Sequence, residues 1–265
     1  MFDRRDLSPA VESIRDEHAP GALVLDAERD FETLDPAVAE TLLPLVESLD
    51  PVSYPESWLP PDAPEELFHY AGSDFVIGMP GDGGVAWTTQ TVPPTVFVKP
   101  RLEGAEDSFV DFLVAEALVE AGLGVPEHFV GFFEDGYRDL AAAVPLNSAD
   151  TYQLAVALYD ASVGLCTRPV FESWADDHPD LHAAWQDAAR HLEPRLGDLP
   201  REVAAGRLDF APAAELACNA LKHGMDLPAP FAALDAQAYR ERGAPYAVAW
   251  AETTFERLHE DGADQ

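Results

Sequence analysis

Hydrophobic positions recur at helical spacing in the first and the last parts of the chain. A helix is predicted over residues 8–20, because Ser8 followed by Pro9 is typical of an N-cap and a first helical position. A second helix is predicted to begin at Asp35-Pro36 and to kink or stop at Pro44. Further helices are predicted after Asn147, over residues 148–164, 179–191, 212–223 and 245–259.

The middle of the chain has a different pattern. Between residues 67 and 144, short runs rich in Val, Phe, Ile and Thr are separated by Gly and Pro, which is typical of strands. One helix interrupts them, over residues 107–121, and its apolar residues on nearly every side predict heavy burial. The predicted strands are residues 73–79, 85–91, 95–99, 129–133 and 137–143.

These elements predict an α+β fold with a small, mainly antiparallel sheet and one packed helix, followed by a helical C-terminal region. The predicted segments are N-terminal helices with a proline-rich connector (1–65), a sheet-and-helix subdomain (66–147) and a helical subdomain (148–265).

The charge of the chain indicates that the protein is suited to concentrated salt. The chain has 49 Asp and Glu against 16 Lys and Arg, a formal net charge of -33, and its two lysines are Lys99 and Lys222. Such self-repulsion destabilises a compact state in dilute buffer, whereas molar salt reduces the Debye length to about 3 Å. The composition resembles that of halophilic archaeal proteins, and the chain as a whole resembles haloarchaeal families without an assigned function.

The same charge excludes some classes of partner. A surface dominated by carboxylates repels phosphates, so nucleic acid is not an expected partner. No apolar stretch approaches the roughly 20 residues of a membrane span, and no apolar segment follows the N-terminal Arg4-Arg5. We therefore expect a cytoplasmic protein that does not bind membranes, with an unknown protein or small molecule as its partner.

Cysteines and histidines predict no catalytic thiol and no metal site. Cys166 and Cys218 lack the CxxC spacing and lie in apolar helical stretches, which predicts two buried thiols. His178 and His182 are four residues apart and could share a metal on one helix. Pro179, however, predicts the start of a helix between them, so a capping role is favoured for His178.

One group of residues suggests a nucleotide site. A glycine-rich turn, Gly81-Asp82-Gly83-Gly84, follows a predicted strand; Lys99 ends a later strand, and the next helix carries Glu116. This order resembles the small lobe of protein-kinase-like phosphotransferases, where a glycine loop covers the phosphates and a strand lysine pairs with a helix glutamate. The resemblance implies that ATP and Mg²⁺ bind at Gly81, Gly83, Gly84, Lys99 and Glu116.

The sequence also departs from that family. Its asparagines are Asn147 and Asn219, and neither lies in a catalytic loop of the kinase type. In a plainer interpretation, the glycines form an ordinary hairpin turn and Lys99 ends an edge strand and points to water. Glu116 and Glu120 then form the solvated stripe of the helix. We favour this interpretation and assign no catalytic residue.

Two hypotheses of function follow. The first is a non-catalytic binding or regulatory protein, because no complete catalytic constellation is present in the sequence. The second is a divergent kinase-like phosphotransferase or nucleotide-binding protein that uses the glycines and Lys99.

Overall fold

The predicted α+β class is confirmed. The computed structural model describes residues 2–34, 36–72, 76–79 and 83–263, with the backbone alone for 261–263. The strands are β1 (Phe2–Arg4), β2 (Leu23–Ala27), β3 (Ser48–Leu49), β4 (Val85–Thr88), β5 (Thr91–Val92) and β6 (Thr95–Val98). The α-helices are α1 (Pro9–His18), α2 (Pro36–Ala39), α3 (Glu65–Gly72), α4 (Asp107–Gly122), α5 (Phe129–Phe133), α6 (Gly136–Ala143), α7 (Ser148–Asp177), α8 (Pro179–Ala189), α9 (Glu193–Leu196), α10 (Leu199–Ala204), α11 (Phe210–Lys222), α12 (Gln237–Arg242) and α13 (Ala244–Ala263). Short 3₁₀ turns cover Glu40–Leu42, Glu56–Trp58, Pro100–Leu102 and Phe231–Leu234.

Two compact units, interleaved along the sequence, make up the chain. The first unit comprises Met1–Ser53, Tyr70–Glu127 and Phe171–Trp185. The second unit comprises Tyr54–His69, His128–Val170 and Gln186–Gln265. The sequence predicted three consecutive segments, whereas each of these units combines separate parts of the chain. The division into three segments stays a prediction.

A four-stranded sheet forms the centre of the first unit, in the order β1-β2-β6-β4. β1 pairs with β2 and β4 pairs with β6 in antiparallel fashion, while β2 and β6 run parallel. The sheet is mainly antiparallel, as predicted, but β1 and β2 were not predicted. β6 lies between β2 and β4, so the expectation that Lys99 ends an edge strand is wrong.

The pleat divides the side chains of this sheet between two faces, because residues paired directly across strands share a face. One side, which we call the Phe97 face, carries Leu25, Ala86 and Phe97. It packs against the chain that follows β2. The buried cluster there comprises Phe2, Leu23, Leu25, Ala27, Leu34, Ala39, Leu42, Val46, Ile77 and Phe97.

The opposite side, which we call the α4 face, carries Val96 and Trp87. Helix α4 covers this face, and the Trp87 Nε1–H donates a hydrogen bond to Glu120 Oε2 at 2.8 Å. Helix α1 packs against α4 in turn. The sheet is therefore covered on both faces, which explains why β6 has a continuous run of buried residues rather than an alternating pattern.

Several predicted helices have the expected beginnings. α1 starts at Pro9, and the Val11 N–H donates to Ser8 Oγ at 3.4 Å, as the N-cap prediction requires. α8 starts at Pro179. α2 is short and passes into a 3₁₀ turn before Pro44, which agrees with the predicted early stop.

Two of the predicted strands are helices, and a third lies partly outside the described residues. Residues 129–133 and 137–143 are helices α5 and α6, so both strand predictions are wrong. In α6 the buried residues are Tyr137 and Leu140, three positions apart, which is a helical rather than an alternating spacing. In the predicted strand 73–79, residues 73–75 lie outside the described residues, and Ile77 forms an isolated antiparallel bridge with Leu34.

Helix α7 is long and apolar enough to cross a membrane by length and composition. Of its most apolar window, however, 67% is buried inside the structure, as in the core helix of a globular protein. Among the residues that the structure describes, it is the one helix that meets this criterion.

The second unit buries several groups that titrate at alkaline pH. Cys218 is 1% exposed, as predicted for a buried thiol, whereas Cys166 is partly exposed. Tyr239 is fully buried and donates a hydrogen bond from its hydroxyl to Leu158 O at 2.5 Å. Burial raises the pKa of the Cys218 thiol above its ordinary 9.0, and the pKa of the Tyr239 and Tyr137 hydroxyls above 10.0.

The free energy of unfolding is therefore expected to fall as the pH rises above about 9. Below that pH these groups are protonated in both states; above it the unfolded chain releases protons first, so the native state loses stability. Each such group contributes a slope of about 1.4 kcal/mol per pH unit until its native pKa is reached. Urea unfolding between pH 8 and about 10 measures the slope, and Cys218→Ala should make it shallower. An equal slope in both proteins would contradict the role of Cys218.

Candidate functional site

A cleft of about 330 Å³ opens in the first unit where the parallel strands β2 and β6 end. Small molecules commonly bind outside the carboxyl ends of parallel strands, because the backbone and the loops diverge there. Helix α4 begins beside the cleft, and Glu106 at its N-cap makes no side-chain capping hydrogen bond. The lining residues are Arg5, Asp26, Ala27, Val98, Lys99, Pro100, Leu102, Glu103, Gly104, Ala105, Asp107 and Val110.

An ion pair between Arg5 and Asp26 forms one wall of this cleft. Arg5 follows β1, and its main-chain N–H donates to Val24 O at 3.0 Å, which fixes it beside β2. Its Nη1 donates to Asp26 Oδ1 at 2.6 Å, with side-chain exposures of 28% and 44%. A guanidinium has five N–H donors and a carboxylate has several acceptor positions, so a pair joined through one bond and still partly exposed can bind a further polar group.

Carboxylates supply the remaining charged lining. Glu103 and Asp107, on either side of the turn into α4, are both exposed. Together with Asp26 they give the cleft acceptors for cationic groups, while Arg5 supplies donors for an anionic group. The described lining contains no hydroxyl, thiol or imidazole side chain.

Lys99 borders the same cleft, but its ammonium group lies on the Phe97 face. Lys99 is 1% exposed, and its Nζ lies 4.7 Å from the centroid of the Phe31 ring. That ring contacts Phe97 edge-on at 6.0 Å. The expectation that Lys99 points to water is therefore wrong. Contact with an aromatic face partly offsets the loss of hydration of the buried ammonium.

Arg101 holds the chain segment that covers Lys99. Its Nε donates to both carboxylate oxygens of Asp30 at 2.9 Å, and its Nη2 donates to Glu32 at 2.7 Å. The Arg101 hydrogen bond to Asp30 is the main cause of a lowered pKa for that carboxyl group, with a smaller contribution from Lys99. Phe31 is consequently held over the Lys99 ammonium.

The glycines of the predicted nucleotide site have different surroundings. Gly81 lies outside the described residues, and a Cβ on Gly83 would meet no atom within 4 Å. A Cβ on Gly84 would lie 2.3 Å from Cγ of Leu102. The Lys99 N–H also donates to Gly84 O at 2.8 Å, so the closeness of Gly84 to its neighbours has a packing explanation.

The two glutamates of α4 are not a solvated stripe, so that expectation is wrong as well. Glu116 is 8% exposed, and Glu120 is half-buried and accepts the hydrogen bond from Trp87. Both are on the helix that covers the α4 face, whereas the Lys99 ammonium lies on the Phe97 face. The sheet thus separates Lys99 from the helix that carries Glu116, and nucleotide binding at these residues remains a prediction.

Comparison with known proteins identifies the family. The model of the family of unknown function DUF7089 matches residues 1–258. The chain belongs to DUF7089. No curated protein and no solved structure matches it. None of these comparisons supports the resemblance to kinase-like small lobes. In addition, two of the strands on which that resemblance rested are helices.

The DUF7089 chain also has a polar cluster that the sequence did not reveal. The Glu127 carboxylate accepts hydrogen bonds from Thr88 Oγ1 at 3.0 Å, from the Thr89 main chain at 2.8 Å and from the Gln90 amide. Gln90 is 1% exposed and also donates to Val76 O at 2.5 Å. All of these bonds join Glu127 to residues at the end of β4. We therefore assign the cluster a role in stabilising that end of the strand.

We expect Glu127→Ala to lower the free energy of unfolding by about 2 kcal/mol. The substitution leaves the buried donors of Thr88 and Gln90 without the carboxylate, and each unsatisfied buried group costs about 1–3 kcal/mol. Urea unfolding in molar KCl measures the loss. Glu252→Ala is the matched control because Glu252 is exposed on α13, and we expect a change within about 0.5 kcal/mol. Equal effects of the two substitutions would show that the cluster does not stabilise the fold.

The metal prediction concerned His178 and His182. His178 lies between α7 and α8, and the His182 N–H donates to His178 O at 3.0 Å, so one helical turn separates them. Across residues 2–34, 36–72, 76–79 and 83–263, no three His, Cys, Asp or Glu side chains form a group that could hold a metal ion.

Proposed function

We propose that this protein is a non-catalytic binding protein and that it binds a small polar molecule in the cleft beside Arg5. The observation that carries the proposal is the position of the partly exposed Arg5–Asp26 pair in a cleft of about 330 Å³. Pockets for small ligands are commonly about 300–1,000 Å³ with a few convergent polar groups. The described lining has carboxylates but no hydroxyl, thiol or imidazole side chain, so it lacks the paired nucleophile and base of a Ser-His or Cys-His site, which favours binding over covalent catalysis.

We also infer that the protein works in the concentrated salt of a haloarchaeal cytoplasm. The net charge of -33 and the presence of two lysines support this setting. The same charge supports a partner other than nucleic acid or an anionic membrane surface.

Nucleotide binding by a divergent phosphotransferase is the alternative hypothesis. The burial of Lys99 beside Gly84 favours it, because a buried lysine is an unusual choice in a chain with so few. The separation of the Lys99 ammonium from α4 by the sheet opposes it, since a kinase lysine pairs with a helix glutamate.

Thermal-shift titration in molar KCl tests the proposal. The probes are free amino acids, sugars, polyols, mono- and dicarboxylic acids, and ATP with Mg²⁺. A ligand at 100 times its dissociation constant should stabilise the protein by about 2.7 kcal/mol. Arg5→Gln should reduce the shift, whereas Arg4→Gln should not, because the exposed Arg4 does not line the cleft.

The outcomes separate the two functions. A shift with a small polar compound that depends on Arg5 supports the proposal. A shift with ATP and Mg²⁺ that Lys99→Met abolishes supports the phosphotransferase alternative instead. No shift with any of these probes, or a shift that is the same in Arg5→Gln, would overturn the proposed binding site.

A further inference from the structure

We propose that the ligand of the Arg5 cleft is a free α-amino acid, bound as a zwitterion. The inference rests on the proposed binding function and specifies its ligand class. It starts from the joint presence in one cleft of a cation, Arg5, and several carboxylates, Asp26, Glu103 and Asp107.

The carboxylate of the amino acid binds to Arg5. The guanidinium uses Nη1 for Asp26, at 2.6 Å, and its side chain remains 28% exposed in the cleft. A planar guanidinium binds a carboxylate through two parallel N–H bonds, which fixes the direction of the ligand as well as its position. Lysine would supply a point charge without this geometry, and the ammonium of Lys99 lies on the Phe97 face.

The ammonium group of the amino acid binds among the carboxylates. An –NH₃⁺ group has three donors and no acceptor, so it needs neighbouring acceptors such as Asp26. Asp26 lies next to Arg5, as is required for a ligand whose ammonium and carboxylate groups are attached to one carbon. Glu103 and Asp107 make the surroundings negative, which favours a ligand with a positive group over a simple anion.

The ligand's size and charge are restricted by the same cleft. A volume of about 330 Å³ is near the lower end for small-molecule pockets, so it suits a single amino acid. A nucleoside triphosphate would bring several negative charges towards Asp26, Glu103 and Asp107, and like charges placed together are unfavourable. Val98, Leu102 and Val110 supply an apolar lining for a side chain.

Calorimetric titration of the whole protein in molar KCl tests this ligand class. The probes are the twenty common L-amino acids, followed by the N-acetyl form and the amide form of the best binder. The N-acetyl form lacks the ammonium group, and the amide form lacks the carboxylate. We expect at least one amino acid to bind, and each modified form to bind at least tenfold more weakly.

Substitutions assign the two charges to their partners. Arg5→Gln should weaken the amino acid at least tenfold and leave the weak binding of its amide unchanged. Asp26→Asn should weaken the amino acid similarly and leave the N-acetyl form unchanged. Glu106→Gln is the control, because Glu106 is an exposed carboxylate beside the cleft that does not line it.

The outcomes distinguish a wrong ligand class from a wrong binding function. Equal binding of the amino acid and its N-acetyl form would show that the ammonium group is not recognised. That result would overturn the zwitterion proposal and would leave a cleft that binds carboxylates. If no amino acid binds, an Arg5-dependent thermal shift with a sugar, a polyol or a carboxylic acid would overturn the ligand class but keep the proposed function. No binding in the calorimetric titration, together with no thermal shift with any of the earlier probes, would overturn both.

Discussion

In dilute buffer at neutral pH the protein is expected to lose its tertiary structure, and molar KCl is expected to restore it. The net charge of -33 repels itself, and at low ionic strength the repulsion reaches across the whole protein because the Debye length is about 30 Å at 0.01 M. At 1 M the length is about 3 Å, so neighbouring carboxylates hardly interact. The loss of stability in dilute buffer is expected to be as large as the whole free energy of unfolding, which is on the order of 5–15 kcal/mol.

Tryptophan fluorescence measures this transition directly. Trp174 and Trp185 are 2% and 4% exposed in the first unit, so their emission should shift to longer wavelength when the protein unfolds. Lowering the pH towards the isoelectric point near 4.2 removes much of the charge and should reduce the KCl concentration that folding requires. Emission that stays at the native wavelength in dilute neutral buffer would contradict the salt requirement.

The local signals in the sequence predicted helices better than strands. Ser8, Pro9 and Pro179 act through the backbone of their own neighbours, so their positions at helix starts could be predicted. β2 was missed because a strand buried on both faces has no alternation, although the apolar run from Ala22 to Leu25 was a signal for it. β1 was missed because its strand character depends on pairing with β2.

The region after α4 shows the opposite error. The Phe and Val residues of 129–133 favour a strand by composition, yet Phe129, Val130 and Phe133 are buried on one side of a helix. Intrinsic β preference is weak compared with the gain from burying these three side chains together. The helical spacing of the aromatic residues was the better signal.

The candidate site could be predicted only in part, for a related reason. Arg5 and Asp26 are separated by 21 positions and meet because β1 and β2 pair, which no local motif records. Lys99 was conspicuous in the sequence, but its burial under Phe31 depends on the fold of the segment after β2. The side of the sheet on which Lys99 lies follows from pleat and register, and these became visible only with the strand order.

Gly122→Ala is expected to lower the free energy of unfolding by about 3 kcal/mol. Gly122 is the last residue of α4, and an added Cβ would lie 2.0 Å from the main-chain oxygen of His18 at the end of α1. A main-chain atom cannot rotate away as a side chain can, so α1 and α4 must move apart. Overpacking of this kind costs about 1–3 kcal/mol, and a backbone contact belongs at the upper end.

Gly136→Ala supplies the matched control for this prediction. Gly136 begins α6, an added Cβ there would meet no atom within 4 Å, and neither glycine has a positive φ. Alanine at such a position stabilises by about 0.4–1 kcal/mol, because it restricts the unfolded chain. Urea unfolding of both variants in molar KCl measures the difference, with an unchanged dependence on urea concentration as the sign of two-state behaviour. A loss of less than about 1 kcal/mol in Gly122→Ala would contradict the close approach of α1 to α4, because even mild overpacking costs that much.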